Sequence, residues 1–198
     1  VNDKMKIGLF GGSFDPIHVG HLILAQSAVN FAGLNRVFFI PTAVPPHKRR
    51  EGLTDFEIRV NMVELAIGGN SYFELSLIES EEHIVYTYET VLYFKEKGFG
   101  KERIHLIVGS DSLEEIETWR KPDVIFSNAT VVAMARPGYD HLPILPPGAA
   151  LIMIETGSNS ISSSEIRRMV RERKSIRYLV PHTVERFIEE HSLYRGNT

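Results

Sequence analysis

The stretch GLFGGSFDPIHVGHLILAQSA, Gly8 to Ala28, decides how the rest of the chain is read. An apolar run ends in paired glycines, passes through Ser-Phe-Asp-Pro and continues into a segment carrying His18 and His21. Gly11 and Gly12 admit backbone angles closed to other residues and let a ligand approach the main chain. The spacing of Leu22, Ala25, Gln26, Val29 and Ala32 predicts a helix that begins near His18, and its free N–H groups favour an anion. At i and i+3 the two imidazoles share one side of the first turn. They can hydrogen-bond phosphoryl oxygens or, when protonated, offset charge in a transition state. Gly20 between them leaves space for something bulky. The segment has neither the GxGxxG dinucleotide fingerprint nor the GxxxxGK phosphate loop. As a metal pair it lacks an evident third ligand and the HExxH form.

Further along, KIGLF (6–10), RVFFIP (36–41), YFELSLI (72–78), IHLIVG (104–109), TVVAMA (130–135) and ALIMIE (150–155) fit buried strands. Helical spacing fills the intervals, with Phe56, Val60, Val63, Leu65 and Ile67 giving one helix and 90–97 another. Strands that are apolar throughout are buried on both faces, as in a parallel sheet wrapped by helices. Two helices in succession, 163–173 and about 181–191, close the chain, and Pro181 suits a first helical turn. The expected fold is therefore α/β, a doubly wound parallel sheet with a helical C-terminal extension. It forms a single domain over 1–198, an α/β core at 5–160 followed by C-terminal helices at 161–194. In such sheets ligands bind beyond the carboxyl ends of the strands, where the winding reverses.

Composition sets the outer limits. With 43% apolar and 24% charged residues the chain is of ordinary globular type, and 198 residues suffice for a sizeable core. The net charge of −3 gives no bulk attraction for nucleic acid, so any anion site must come from local clustering. The absence of cysteine removes disulfides, thiolate metal sites and thiol nucleophiles. No apolar run is long enough to span a membrane, and VNDKMK has no signal-peptide core, so a cytoplasmic protein is expected. Residues 1–4 read as an extension ahead of Met5. A homo-oligomer is left open.

Other strand-end segments carry chemistry. PTAVPPHKRR (41–50) has two prolines that stiffen a loop presenting His47 and Lys48, the latter a point cation for phosphates. The plain alternative is a solvated basic loop. YTYETV (86–91) puts Thr87 at a predicted helix start. In IVGSDSLEEIETW (107–119), Gly109 ends a strand, Asp111 can accept from ribose hydroxyls and Trp119 offers a flat face, though a lone Trp is usually core. SNSISSSEIRRMV (158–170) contains a capping box, Ser162 with Glu165, and its hydroxyls with Arg167 also make an anion site. The run RRMVRERK (167–174) otherwise reads as a solvated basic face.

Together GGSFDPIHVGH, PPHK, YTYETV, GSDSLEEIETW, ISSSEIR and SIRYLVPHTVERFIEEHSLY resemble the bacterial nicotinate-mononucleotide adenylyltransferases, members of the HxGH nucleotidyltransferase superfamily, from Lys6 to Tyr194. Phosphopantetheine adenylyltransferases differ at the first histidine, and cytidylyltransferases lack the GGSFDP lead. Class I aminoacyl-tRNA synthetases need a KMSKS-like loop that is absent. Glu89 stands where the family usually has Asp, Ser110 where Ala is frequent, and Arg173 or Lys174 where Gly is frequent.

The resemblance implies a Rossmann-like nucleotidyltransferase that moves the adenylyl group of ATP to nicotinate mononucleotide, releasing pyrophosphate. His18, His21, Lys48 and Arg167 would carry the charge stabilisation. Gly11, Gly12, Ser13, Phe14, Gly109, Asp111, Ser162, Ser163 and Ser164 would bind ATP. His47, Thr87, Trp119 and Arg136 would hold nicotinate mononucleotide, Thr87 at the carboxylate and Trp119 stacked on the ring. Mg²⁺ would be held mainly by ATP phosphates and water, with no dedicated protein metal site. Rival readings are a related transferase acting on phosphopantetheine, nicotinamide mononucleotide or a CTP substrate, or a non-catalytic nucleotide sensor or RNA-binding module.

Overall fold

A computed structural model describes residues 5–43, 53–81, 86–135, 145–155 and 161–196. Six parallel strands form its sheet: β1 (Ile7–Gly12), β2 (Arg36–Pro41), β3 (Phe73–Leu75), β4 (Ile104–Val108), β5 (Thr130–Ala135) and β6 (Ala150–Glu155). They lie in the order β3-β2-β1-β4-β5-β6, every neighbouring pair parallel. The chain winds outward from β1 to β3, then returns to place β4 on the other side of β1. The reversal falls between β1 and β4, and their carboxyl ends flank a crevice.

Because side chains alternate along a strand, the apolar strands feed two cores at once. Ile7 and Leu9 of β1, with Leu106, Val108, Val131 and Ala133, belong to one core. Phe10, Ile107, Val132 and Met134 belong to the other. The second core is closed by α1 (Val19–Ala32), α2 (Phe56–Ile67) and two C-terminal helices, α7 (Ser163–Arg171) and α8 (His182–Glu190). The first is closed by α4 (Thr87–Glu96) and α6 (Pro122–Asn128), with Leu113 of the short α5 (Ser110–Glu114). A four-residue α3 (Ile78–Glu81) precedes α4. The C-terminal helices are part of the main packing: Ile166, Val184 and Ile188 are buried among α1, α2 and β2 residues. No helix among the described residues is long and apolar enough to cross a membrane.

The expected elements are present, with differences at their ends. The strand expected over 72–78 shrinks to Phe73–Leu75, since it lies at the sheet edge and the chain turns into α3 at Ile78. Short edge strands of this kind offer little template for unwanted pairing. Helices α5 and α6 were invisible to periodicity because each is under eight residues. Pro181 is the residue before α8 rather than within it, its carbonyl accepting from Val184 and Glu185 N–H. The expected 163–173 helix stops at Arg171, and Arg173 takes the left-handed conformation (φ 55°) that glycine often fills at helix ends.

Gly8, at the centre of the sheet, shows how tight the packing is. A Cβ there would sit 2.8 Å from Ile107 Cδ1, 2.9 Å from Leu34 Cδ1 and 3.1 Å from Val37 Cγ2. Gly8→Val should destabilise the fold by ~1–3 kcal/mol through overpacking, read as a lowered denaturant midpoint at unchanged slope.

Candidate active site

A cavity of about 510 Å³ opens at the β1/β4 crevice. Gly11, Gly12, Ser13 and Phe14 line it from the end of β1, His18, Gly20 and His21 from the start of α1, and Gly109 and Asp111 from the end of β4. Thr87 and Trp119 line it on one side, Ser162 and Ser163 on another. Twelve expected site residues, from four separate stretches of sequence, therefore meet at one void. A Cβ on Gly11 would meet no atom within 4 Å, so the missing side chain leaves the backbone open to a ligand. The unusual backbone angles expected of Gly11 and Gly12 are not used. Both extend β1, and the positive φ belongs instead to Phe14 (47°), whose ring is buried against Phe10, His21 and Phe39.

His18 caps α1 and His21 is its third residue. The His18 backbone N–H donates to His21 Nδ1 at 3.1 Å, which leaves the His21 ring proton on Nε2. The rings stack with centroids 3.7 Å apart and 27° between planes. Phe14 meets the His21 ring edge-on at 5.1 Å. Burial pushes the His18 pKa down to about 4. Burial and the neighbouring His18 push His21 well below the ordinary imidazole range. At neutral pH the free protein therefore holds two neutral imidazoles, and the protonated form considered from sequence is disfavoured in it.

Thr87 opens α4, as expected, and Glu89 holds that end in place. Its carboxylate accepts from the Tyr86 backbone N–H at 3.0 Å and from the Tyr88 hydroxyl at 2.8 Å. The Arg120 guanidinium lies over the Tyr86 ring at 4.7 Å beside the cavity. Ser162 caps α7, accepting from the Glu165 N–H at 3.2 Å, and the Ser163 hydroxyl donates to Pro16 O at 2.9 Å. The Ser162 cap is thus real, but the reciprocal half of the expected capping box is not made, because the Glu165 carboxylate accepts from Arg168 instead; Ser162 and Ser163 still face the cavity.

Arg167 and Ser164 do not line the void. Arg167 Nη1 donates to the Asp15 carbonyl at 2.6 Å and stands 3.9 Å from its carboxylate, and Nη2 donates to the Ser164 hydroxyl at 3.3 Å. Asp15, which enters the cis peptide to Pro16, also accepts from the Tyr194 hydroxyl at 2.6 Å. His47, Lys48 and Arg136 lie outside the described residues.

Three residues escaped the sequence reading. Tyr194 was read only as part of the tail. Glu79, on α3, is buried in the cavity wall within 3.4 Å of the Thr90 hydroxyl, and burial pushes its pKa up to about 7. Arg59, on α2, is buried behind the loop that follows β1. No periodicity marks Glu79. Arg59 stood out only as a charge beside the apolar positions Phe56, Val60 and Val63.

Sheet order and site together define a nucleotide-transferring α/β protein, and the cytidylyltransferase-like family matches residues 9–169, from β1 into α7. The chain is 37% identical over 192 residues to the nicotinate-nucleotide adenylyltransferase of Bacillus subtilis (strain 168), covering 96% of this chain and 99% of that one. It is 40% identical over 189 residues to a relative from Coprothermobacter proteolyticus described as a probable nicotinate-nucleotide adenylyltransferase, covering 96% and 95%. The chain belongs to the nicotinate-nucleotide adenylyltransferase family. The Plasmodium falciparum nicotinic acid mononucleotide adenylyltransferase complexed with NaAD shares the fold, with a TM-score of 0.78 at 22% identity and 98% of each chain covered.

The neutral histidines have a consequence for stability. Below pH 6.5 the unfolded chain binds a proton at His18 that the folded chain refuses until about pH 4, so stability falls as pH drops through that window. Relative to His18→Gln, the native chain should lose roughly 3 kcal/mol more stability between pH 6.5 and 4, measured by urea unfolding at each pH.

Proposed function

We propose that the chain catalyses adenylyl transfer from ATP to nicotinate mononucleotide, forming deamido-NAD and pyrophosphate. The observation that carries the reading is the stacked His18–His21 pair at the start of α1, opening on a cavity whose far wall holds Thr87 and Trp119. A phosphate oxygen of the mononucleotide attacks the α-phosphorus of ATP in line. The bond from that phosphorus to the bridging oxygen breaks, and pyrophosphate leaves with the electron pair. The attacking phosphate is already anionic, so no general base is required, and catalysis is positioning plus charge stabilisation.

His21 would donate from Nε2 to the α-phosphoryl, with His18 stacked beside it. A neutral donor gains most as charge builds in the transition state, which is what selective stabilisation requires. Gly11 to Phe14 would line the nucleotide, Gly109 and Asp111 its ribose side, and Ser162 and Ser163 the distal phosphates. Lys48 would neutralise the β- and γ-phosphates. Arg167 would reach them only by releasing the Asp15 carbonyl, so its first role is to hold the loop, with Ser164 as its partner. Thr87 N–H and the Trp119 face would take the nicotinate carboxylate and ring, with His47 and Arg136 at the mononucleotide phosphate. The cavity offers hard donors, the Asp111 carboxylate and the hydroxyls of Ser13, Ser112 and Thr42, which suit a hydrated Mg²⁺ carried on the ATP phosphates. That ion would neutralise phosphate charge. We read 1–198 as one functional unit and place it in the cytoplasm.

Pyrophosphate release from ATP should be fastest with nicotinate mononucleotide in a panel that includes nicotinamide mononucleotide and phosphopantetheine, with CTP as alternative donor. Release only with another acceptor, or with none, would overturn the reading. His18→Ala and His21→Ala should each lower kcat by ~10²–10³ while folding normally. Trp119→Ala should raise KM for the mononucleotide more than for ATP.

A further inference from the structure

Arg59 sits on the inward side of α2 and is only 1% exposed. Its guanidinium donates to three main-chain carbonyls: Nη1 to Ser13 at 2.7 Å, Nε to Thr54 at 2.9 Å and Nη2 to Thr42 at 3.0 Å. These belong to three separate segments: the loop after β1, the turn into α2 and the residue after β2. Burial lowers the guanidinium's pKa, while Asp15, Tyr194 and Asp55 oppose that shift. A buried charge is expensive, and an apolar side chain of similar size would fill such a place at less cost. The reason for a cation here therefore lies in what the three carbonyls do.

Ser13 and Thr42 line the cavity, whereas Arg59 stands behind them. A trans peptide directs its C=O and the following N–H in opposite directions. Drawing the Ser13 carbonyl back onto Arg59 thus leaves the Phe14 N–H directed away from Arg59, and the Thr42 carbonyl does the same for the Ala43 N–H. Phe14 at φ 47° is left-handed, which costs a residue with a Cβ about 1–2 kcal/mol. The chain does not prefer this turn by itself, so something must hold it.

We propose that Arg59 is a positioning residue for phosphate binding: from behind the two loops it fixes their main-chain polarity, so that N–H groups rather than carbonyl oxygens meet the phosphates of ATP. The inference rests on the reading that this cavity takes ATP. Without Arg59 either peptide is free to flip and present a carbonyl oxygen to the anion.

The first test needs no variant. In protein labelled with ¹⁵N-phenylalanine, inorganic tripolyphosphate should shift the Phe14 amide most among the phenylalanines, the signal being assigned by its loss in Phe14→Leu. Binding that leaves the Phe14 amide unmoved, or no binding at all, overturns the proposal. Tripolyphosphate binding to a chain that shows no adenylyl transfer would instead remove the proposed reaction and leave Arg59 standing. The second test is Arg59→Gln beside Arg59→Lys. KM for ATP should rise about tenfold in Arg59→Gln, with partial rescue in Arg59→Lys and KM for the mononucleotide within threefold of native. Parallel loss for both substrates in step with thermal stability would make Arg59 a packing residue only. If neither variant folds, the amide titration decides.

Discussion

The structure depends on the Asp15 carboxylate being buried and yet fully engaged. It is 1% exposed, accepts from the Tyr194 hydroxyl at 2.6 Å and from the Thr54 N–H at 3.4 Å, and has Arg167 3.9 Å away. An unpaired carboxylate at that depth would be untenable. Its partners come from the last turn of the chain, the entry to α2 and the first turns of α7. The one acid therefore ties the loop after β1 to segments that are distant in sequence. Burial and Asp15 together raise the Tyr194 pKa, so the phenol keeps its proton and remains a donor to the acid. The C-terminal segment closes the core, and through Arg167 and Tyr194 it also supplies groups that hold the loop after β1.

This arrangement separates two electrostatic tasks. Arginines 59 and 167 work on the back of the loop, each bonded to main-chain carbonyls. The front carries the imidazoles that burial keeps neutral and the hydroxyl-bearing residues Ser13, Ser162 and Ser163. A cation placed at the α-phosphorus would bind ground-state ATP as strongly as the transition state and gain little rate. Neutral donors held in a water-poor wall respond mainly to the charge that develops. The same burial that keeps His18 and His21 neutral fixes their rings, through the stack between them and the edge of Phe14.

The legibility of the sequence followed the range of the interactions. Strands buried on both faces announce themselves as continuous apolar runs, and β2, β5 and β6 fall where RVFFIP, TVVAMA and ALIMIE place them. Local motifs were readable too: the histidine pair, the Ser162 cap and Thr87 at the start of α4. Arg59, Tyr194 and Glu79 were not, because their meaning lies in partners 46, 179 and 11 residues away. The loop glycines were misread for a related reason. Composition shows that backbone freedom is available, but only packing decides which residue uses it, and the buried ring of Phe14 takes the left-handed turn.

The two cores also divide the labour of the site. His18, His21 and the loop before them are built on the face closed by α1, α2 and the C-terminal helices. Tyr86 and Trp119 pack against the core on the opposite face, closed by α4 and α6. A continuous sheet would keep these faces apart. They meet only where β1 and β4 end and the winding reverses, which is where the cavity lies. The proposed phosphoryl chemistry and acceptor recognition would thus rest on different packing, joined at one gap. In the proposed reaction, residues of the acceptor wall could change without disturbing the stacked histidines, so the α4 face would set the acceptor and the α1 face the transfer itself.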